Sequence, residues 1–318
     1  MTLASSREIG RRPIPGSRYS TSAIVVTVDP PLVAPPASDA RTIALLQRAR
    51  ERGVTTFDVA GARHPERAER LIARAFSSTE SDVGVIVRRS VESLAREAAQ
   101  LESDLAVGDL PAASRRSLEE SAKRLAPVPI VLVEWETDND ALGEGASRPD
   151  QSPPRGQTSD GPAWATRIDP STVTLPSVPG RSTLFTGDFS LLEDRLVHVF
   201  EDPSRTPQAR LLARDPFAGG RLDGTRFAAT TALGGPSAGP VDVRRLHAEF
   251  DPVVRLGFLT EHRRRTLAQA ALQFVLGRPW VVATCIPLPE PERFEEILGW
   301  DTAPPLDSED RRRLGFVK

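Results

Sequence analysis

Apolar residues in this chain gather into short β-branched runs, and each run is followed by a longer stretch with apolar positions at helical spacing. Ser22 to Val28 (SAIVVTV) is a continuous run of the kind a strand buried on both faces requires. The proline-rich loop Pro30 to Pro36 follows, and Asp39 is placed to cap a helix reaching about Arg52, with Ile43, Leu46 and Ala49 on one face. Gly53 suits the left-handed turn past that helix. Val54 to Phe57 then predicts a second strand, closed by Asp58, and Pro65 opens the next helix at a position where its missing N–H costs nothing. Asp82 to Val87 predicts strand three, ending in Arg88 and Arg89. Ser114 to Leu125 predicts a helix, and Pro129 to Val133 strand four, ending in Glu134, Trp135 and Glu136.

The alternation then lapses. Thr137 to about Gly161 is rich in Asp, Gly, Ser and Pro and has no period, a composition that buries too little apolar surface to order itself. We read 137–179 as a flexible insertion whose patch Trp164–Ile168 docks on the barrel. Ser182 to Asp188 predicts the next strand, Leu191 to Phe200 a helix, and Ala209 to Arg214 a further strand running into Asp215–Gly224. Helices over Val241–Phe250 and Thr266–Gly277, a last strand Trp280–Ile286 and a closing helix Pro291–Leu298 complete the chain. Strands alternating with helices imply a parallel sheet and an α/β class, a (β/α)8 TIM-type barrel spanning 1–318 as one domain. Seven strands can be counted, so the sixth strand–helix unit is expected to be absent or reduced.

Composition adds exclusions. The 318 residues contain one cysteine, Cys285, so no internal disulfide forms, and its apolar run marks it as a buried bystander. A net charge of −2 gives no reason to expect nucleic-acid binding. No apolar run approaches the ~20 residues of a membrane span, and the N-terminus lacks an apolar signal core, so a cytoplasmic location is expected. No metal-ligand set is assigned.

In a βα barrel, the loops after the C-terminal ends of the strands carry the chemistry. The stretch Arg52–Phe76 (RGVTTFDVAGARHPERAERLIARAF) resembles the signature of the aldo/keto reductases, in which Phe-Asp-Thr-Ala precedes a Tyr-Gly and a Ser-Glu-x-x-Leu helix. Phe57, Asp58, Ala60, Glu69 and Leu71 match it. Ser117–Leu125 with Pro129–Val133, Asp215–Gly224, and Leu256–Leu298 are similar to three further blocks of that family.

The resemblance implies an eight-stranded barrel that reduces carbonyls with NADPH through an Asp, a Tyr, a Lys and a His. Asp58 matches the aspartate. The tyrosine falls on Arg63, with His64 beside it, the lysine on Arg88, and the histidine on Glu134. The only tyrosine, Tyr19, precedes the first strand, and the only lysines, Lys123 and Lys318, lie at no strand end. The cofactor side differs as well. The Ser-Asn that follows strand five in the family appears as Gly187-Asp188, and the Ile-Pro-Gly loop as Ile286-Pro287-Leu288-Pro289-Glu290, with Pro216 and Arg293 retained nearby. Losing a glycine and gaining a carboxylate disfavours a phosphate.

The substituted positions would stand together at the barrel rim with Trp135 and Asp188. Asp58 is expected to pair with Arg88. Glu134, directly after an apolar strand, must be paired or functional, because burying a lone carboxylate is costly. Two readings follow. One is a pseudo-enzyme that binds a small-molecule or anionic ligand, or a partner, with NADP binding unassigned. The other is an atypical NADP-dependent oxidoreductase, or a lyase or hydrolase that uses the charged rim, with His64 as proton shuttle.

Overall fold

An antiparallel hairpin, β1 (Arg11–Pro13) and β2 (Ser20–Ser22), leads into a closed barrel of eight parallel strands in the computed structural model. The barrel strands are β3 (Ile24–Thr27), β4 (Thr56–Asp58), β5 (Gly84–Ser90), β6 (Ile130–Glu136), β7 (Ala163–Arg167), β8 (Leu184–Asp188), β9 (Arg210–Arg214) and β10 (Val281–Pro287), in that spatial order, with β10 returning to pair with β3. The described residues are 9–31, 35–77, 82–90, 110–136, 162–171, 175, 184–202, 208–227, 243–261 and 265–316.

Strand parity divides the buried apolar side chains into two groups. Val26, Phe57, Val87, Val133, Leu211 and Ile286 face outward and pack beneath the helices. Val25, Ile86, Leu132, Ala165, Leu212, Ala283 and Cys285 fill the barrel interior. Most strands are buried on both faces, which explains why they read as unbroken apolar runs rather than alternations. Phe57 and Phe76 meet on the outer face with ring centroids 5.1 Å apart, so β4 is fixed to α2 (Pro65–Phe76). The β5–β6 pairing shifts register between Val85 and Ile86, and there the two strands come very close. A Cβ at Gly84 would fall 2.3 Å from Cγ1 of Val131, so the irregularity needs glycine.

The hairpin closes the N-terminal end of the barrel. Ile14 and Tyr19 pack on the interior group, and the Arg12 guanidinium donates to the carbonyls of Val281 (2.9 Å) and Leu276 (3.4 Å), at the start of β10 and the end of α6 (Leu267–Leu276). Helix α6 is capped by Thr266 and Gln269, each side chain bonding the other's backbone amide.

The fold class agrees with the sequence reading, and three local expectations change. All eight strands are present. The uncounted one is β7, inside the span 137–179 taken as an insertion. Its AWATR sequence puts small alanines inside and Trp164 outside, so it shows no long apolar run; Trp164 packs on Trp135 at 6.1 Å. Residues 137–161 lie outside the described set. The sixth barrel strand, β8, is intact and carries only a five-residue helix, α4 (Leu196–Phe200). Helix α1 (Pro36–Glu51) starts at Pro36 with no side-chain cap, and Asp39 instead forms ion pairs with Arg67 and Arg74 of α2.

Candidate functional site

From β4 to β9, six consecutive strands each bring a charged residue to the C-terminal mouth with alternating sign (Asp58, Arg88, Glu134, Arg167, Asp188, Arg214), and β6 adds a second carboxylate, Glu136. Each sits at or near its strand's end on the inward parity, where the chain must place a side chain over the barrel axis. An isolated charge there would be costly, and the alternation removes that cost pairwise.

Arg214 is the hub. Its Nη1 and Nη2 donate to Oδ2 and Oδ1 of Asp58, both at 3.0 Å, in the forked geometry that guanidinium and carboxylate share. Its Nε donates to Oε2 of Glu134 at 2.6 Å. Glu134 in turn accepts from Nε of Arg88 at 3.0 Å through its other oxygen. Arg167 bridges Glu136 and Asp188, each at 3.4 Å, with Glu134 at 3.7 Å, and Arg88 reaches Glu136 at 3.6 Å. Three arginines thus serve four carboxylates, and Asp58 and Glu134 are wholly buried.

Asp58 also accepts from the Thr27 hydroxyl at 2.8 Å and the Ala60 amide at 3.0 Å. The loop lies directly over it: a Cβ on Gly61 would stand 3.2 Å from the Thr27 methyl and 3.4 Å from Oδ2 of Asp58. Burial alone would raise the Asp58 carboxyl. Arg214, through charge and hydrogen bonds, together with Thr27 and Ala60, outweighs burial and holds it below the usual carboxylate range. Arg214 loses to burial but gains more from Asp58 and Glu134, and is driven well above its usual value.

The structure separates the predicted site residues. Asp58, Arg88, Glu134 and Asp188 come together in the network. Asp58 pairs with Arg214 rather than with Arg88. Arg63 does not join: its side chain is exposed and pairs with Asp29 at 3.0 Å in the loop after β3. His64 occupies the N-cap of α2, and its side chain caps nothing. Trp135 points outward into the helix layer, because its strand parity is opposite to that of Glu134. Tyr19 belongs to the hairpin at the far end of the barrel, and Lys123 is an exposed helix residue paired with Glu120. By strand order Gly187-Asp188 ends the sixth barrel strand, and Ile168-Asp169 follows the fifth.

The sequence reading missed Arg214 and Arg167. Arg214 was visible as a charge ending a predicted strand, the same signal that singled out Glu134. Arg167 lay in a stretch not read as a strand.

A cleft of about 710 Å³ opens beside the network, between the loops after β3, β9 and β10. Arg214 and Cys285 reach its floor, and Asp29, Asp215, Asp223 and Glu290 line it with Arg41. Burial pushes the Cys285 thiol up, far beyond its usual range. Glu290 pairs with Arg41 at 2.9 Å. Pro216 is buried within the turn after β9. Arg293 is held by the Asp223 carbonyl and by Glu296 at 3.1 Å, and faces a neighbouring apolar groove.

The overall fold recurs in solved structures. The fold is shared with solved aldo-keto reductases. The chain superposes on the glycerol dehydrogenase AKR11B4 from Gluconobacter oxydans with a TM-score of 0.66 and 14% identity, over 99% of this chain and 95% of that one. It superposes on the thermostable aldo-keto reductase Tm1743, solved with the inhibitor epalrestat, at 0.62 and 15%, over 97% and 99%. For aldo-keto reductase AKR11C1 from Bacillus halodurans the values are 0.59 and 14%, over 98% and 96%. No protein-family model and no curated protein matches the chain.

The aldo-keto reductase resemblance suggests a dinucleotide for this cleft, and the donor set does not fit one. A dinucleotide brings phosphates, and four carboxylates line the cleft against two arginines. Of those arginines, Arg214 is spent on Asp58 and Glu134 and Arg41 on Glu290. Among the described residues of the cleft there is no lysine.

Proposed function

We propose that this protein is a ligand-binding barrel of aldo-keto reductase descent that does not carry out NADPH-dependent carbonyl reduction. The observation that carries this reading is the closure of Asp58. Its two oxygens are taken by Arg214, Thr27 and Ala60, and Arg214 is simultaneously taken by Glu134. Carbonyl reduction needs an acid at the mouth that can release a proton to the developing alkoxide, and a phenol near pKa ~10 serves only when a cation beside it lowers that value. The side chains that meet at the mouth are guanidiniums and carboxylates already neutralising one another. Guanidinium keeps its proton, and a carboxylate held low by arginines has no proton to give. The same saturation weighs against a lyase or hydrolase built on this rim, since a general base needs an unengaged lone pair within reach of substrate.

The cleft supports binding. Its volume lies within the ~300–1,000 Å³ typical of small-molecule sites, and Phe217, Leu45 and Leu288 supply apolar wall. The test is a fluorescence titration of the purified protein with NADPH into the sub-millimolar range, together with NADPH oxidation in the presence of an aldehyde panel. The reading expects neither saturable quenching nor turnover. Micromolar NADPH binding with aldehyde-dependent oxidation would overturn it.

A further inference from the structure

The N-terminal end of the barrel carries the opposite charge balance from the mouth. A cleft of about 380 Å³ opens there, between the hairpin, the start of β9 and the turn into β10. Arg12, Arg210 and Arg278 line it, and no carboxylate is among its lining residues. Register brings the three together at the first residue of β10. Arg12 Nη1 donates to the Val281 carbonyl at 2.9 Å, Leu211 beside Arg210 pairs with Val281 across the sheet, and the Arg278 carbonyl accepts the Val281 amide at 3.1 Å. In the cleft at the mouth, Arg41 is neutralised by Glu290, and Arg214 by Asp58 and Glu134. Here neutralisation stops short. Arg12 is half-buried, and its hydrogen bonds go to the carbonyls of Val281, Val282 and Leu276. Burial lowers its pKa, and no carboxylate offsets the loss. Arg210 donates to the carbonyl of its neighbour Ala209 at 2.9 Å and forms no ion pair with a described carboxylate. Arg278 lies over the Phe274 ring, 4.8 Å from its centroid, and its one counter-charge, Glu201 at 2.9 Å, stands outside the cleft.

We propose that this cleft binds a small phosphorylated organic molecule, its phosphate held by Arg210 and Arg278 with Arg12 behind, and its carbon skeleton on the rim of Pro13, Pro15 and Pro279. Guanidinium groups present planar pairs of donors that match phosphate oxygens, and three of them in one cleft repel one another until an anion joins them. A carboxylate brings a single charge to this site, and a phosphate monoester brings up to about two. A neutral ligand leaves the repulsion in place. The volume lies at the lower end of the ~300–1,000 Å³ range of small-molecule sites, and the prolines, Val281 and Val282 give the cleft an apolar wall for carbon. In barrels of this kind the N-terminal face does not carry the chemistry, so the site binds without turnover. It lies at the opposite end of the barrel from the mouth and does not depend on the ligand-binding reading given above.

Four probes separate these cases: butyl phosphate, inorganic phosphate, butyrate and butanol. Calorimetry and thermal shift on the full-length protein should show saturable, salt-sensitive binding of butyl phosphate, weaker binding of inorganic phosphate and of butyrate, and none of butanol. Arg210→Gln should weaken butyl phosphate about tenfold, the loss of one charge-assisted hydrogen bond. Arg210 makes no ion pair in the described structure, so this variant should fold. Glu201→Gln frees the charge of Arg278 and should tighten butyl phosphate severalfold, a gain that a merely structural role for these arginines would not produce. Absence of butyl phosphate binding, binding of butyrate, butanol or inorganic phosphate as tight as that of butyl phosphate, or affinity unchanged in either variant would each overturn the proposal. None of these results touches the absence of reduction at the mouth, which NADPH turnover alone would overturn.

Discussion

Arg214 and Asp58 meet through two parallel hydrogen bonds of 3.0 Å, although 156 positions separate them in sequence and four strands lie between theirs in one direction around the barrel. Only barrel closure brings the end of β9 opposite the end of β4. The pair therefore exists only in the completed fold. It also places a guanidinium over the aspartate that the aldo/keto reductase resemblance assigns to chemistry.

Removing Arg214 should damage the protein far more than removing a surface arginine. Arg214→Met leaves Asp58 and Glu134 buried without their cation, a situation that costs about 3–5 kcal/mol. A large fall in the urea midpoint with an unchanged slope is expected. The triple change Asp58→Asn, Glu134→Gln, Arg214→Met removes the charges together and should recover most of that loss. If the single variant melts with the wild type, the network is not the structural lock described here.

The network also sets the response to acid. Asp58 has a folded-state value below its unfolded one, so the unfolded chain binds the proton more readily. Its stabilisation is fully present above the unfolded carboxylate value of about 3.9 and is lost as pH falls through the lower folded value. Asp215 has the opposite sign: burial, helped by Asp188 and Asp223, raises it against the lowering effect of the Gly219 amide and Arg221, so its contribution is complete below the unfolded value and fades as pH rises through the folded one. Denaturation midpoints measured across pH 2–7 (roughly the span over which carboxylates titrate) should therefore respond oppositely to two variants. Asp58→Asn should flatten the acid limb, and Asp215→Asn should raise stability at neutral pH relative to wild type. A steep acid limb that survives Asp58→Asn would place its origin elsewhere.

What the sequence disclosed, and what it withheld, follows from the range of each interaction. Strands such as Ser22–Val28 and Trp280–Ile286 were legible because two buried faces demand consecutive apolar residues. Strand β7 was not, because its inner positions are alanines and its outer anchor is a tryptophan whose partner, Trp135, belongs to another strand. Glu134 could be flagged as a carboxylate that must be paired, but its partners Arg88 and Arg214 are set by register and closure. Arg63 aligned with a catalytic position, and yet the nearby Asp29 drew its side chain out to solvent. Local pattern reveals which residues carry charge at a strand end, and only topology decides which of them meet.

Close approach of β5 and β6 gives a second, purely steric prediction. A methyl at residue 84 would overlap both methyls of Val131, the nearer at 2.3 Å, in a layer with no slack. Gly84→Ala should cost about 1–3 kcal/mol, the range for overpacking a core. Pairing it with Val131→Ala should restore much of the loss, which thermal melts of the four proteins in the cycle would reveal. Additive losses would mean that the two sites do not share the clash.

Cys285 offers a reporter that needs no engineering. The thiol is buried, burial holds it protonated, and carboxylates line the cleft above it. Only the thiolate attacks a disulfide, so a dianionic aromatic disulfide reagent meets both a missing nucleophile and like charge at the entrance. At neutral pH the native protein should release no chromophore over hours, while the unfolded protein should release one equivalent promptly, since the chain has one cysteine. Labelling in intermediate urea should then track the population of opened molecules, and Arg214→Met should label faster in proportion to its lost stability. Rapid modification of the native protein would show instead that the cleft floor is open and its thiol ionised, contrary to the sealed, inert group described at the base of the site.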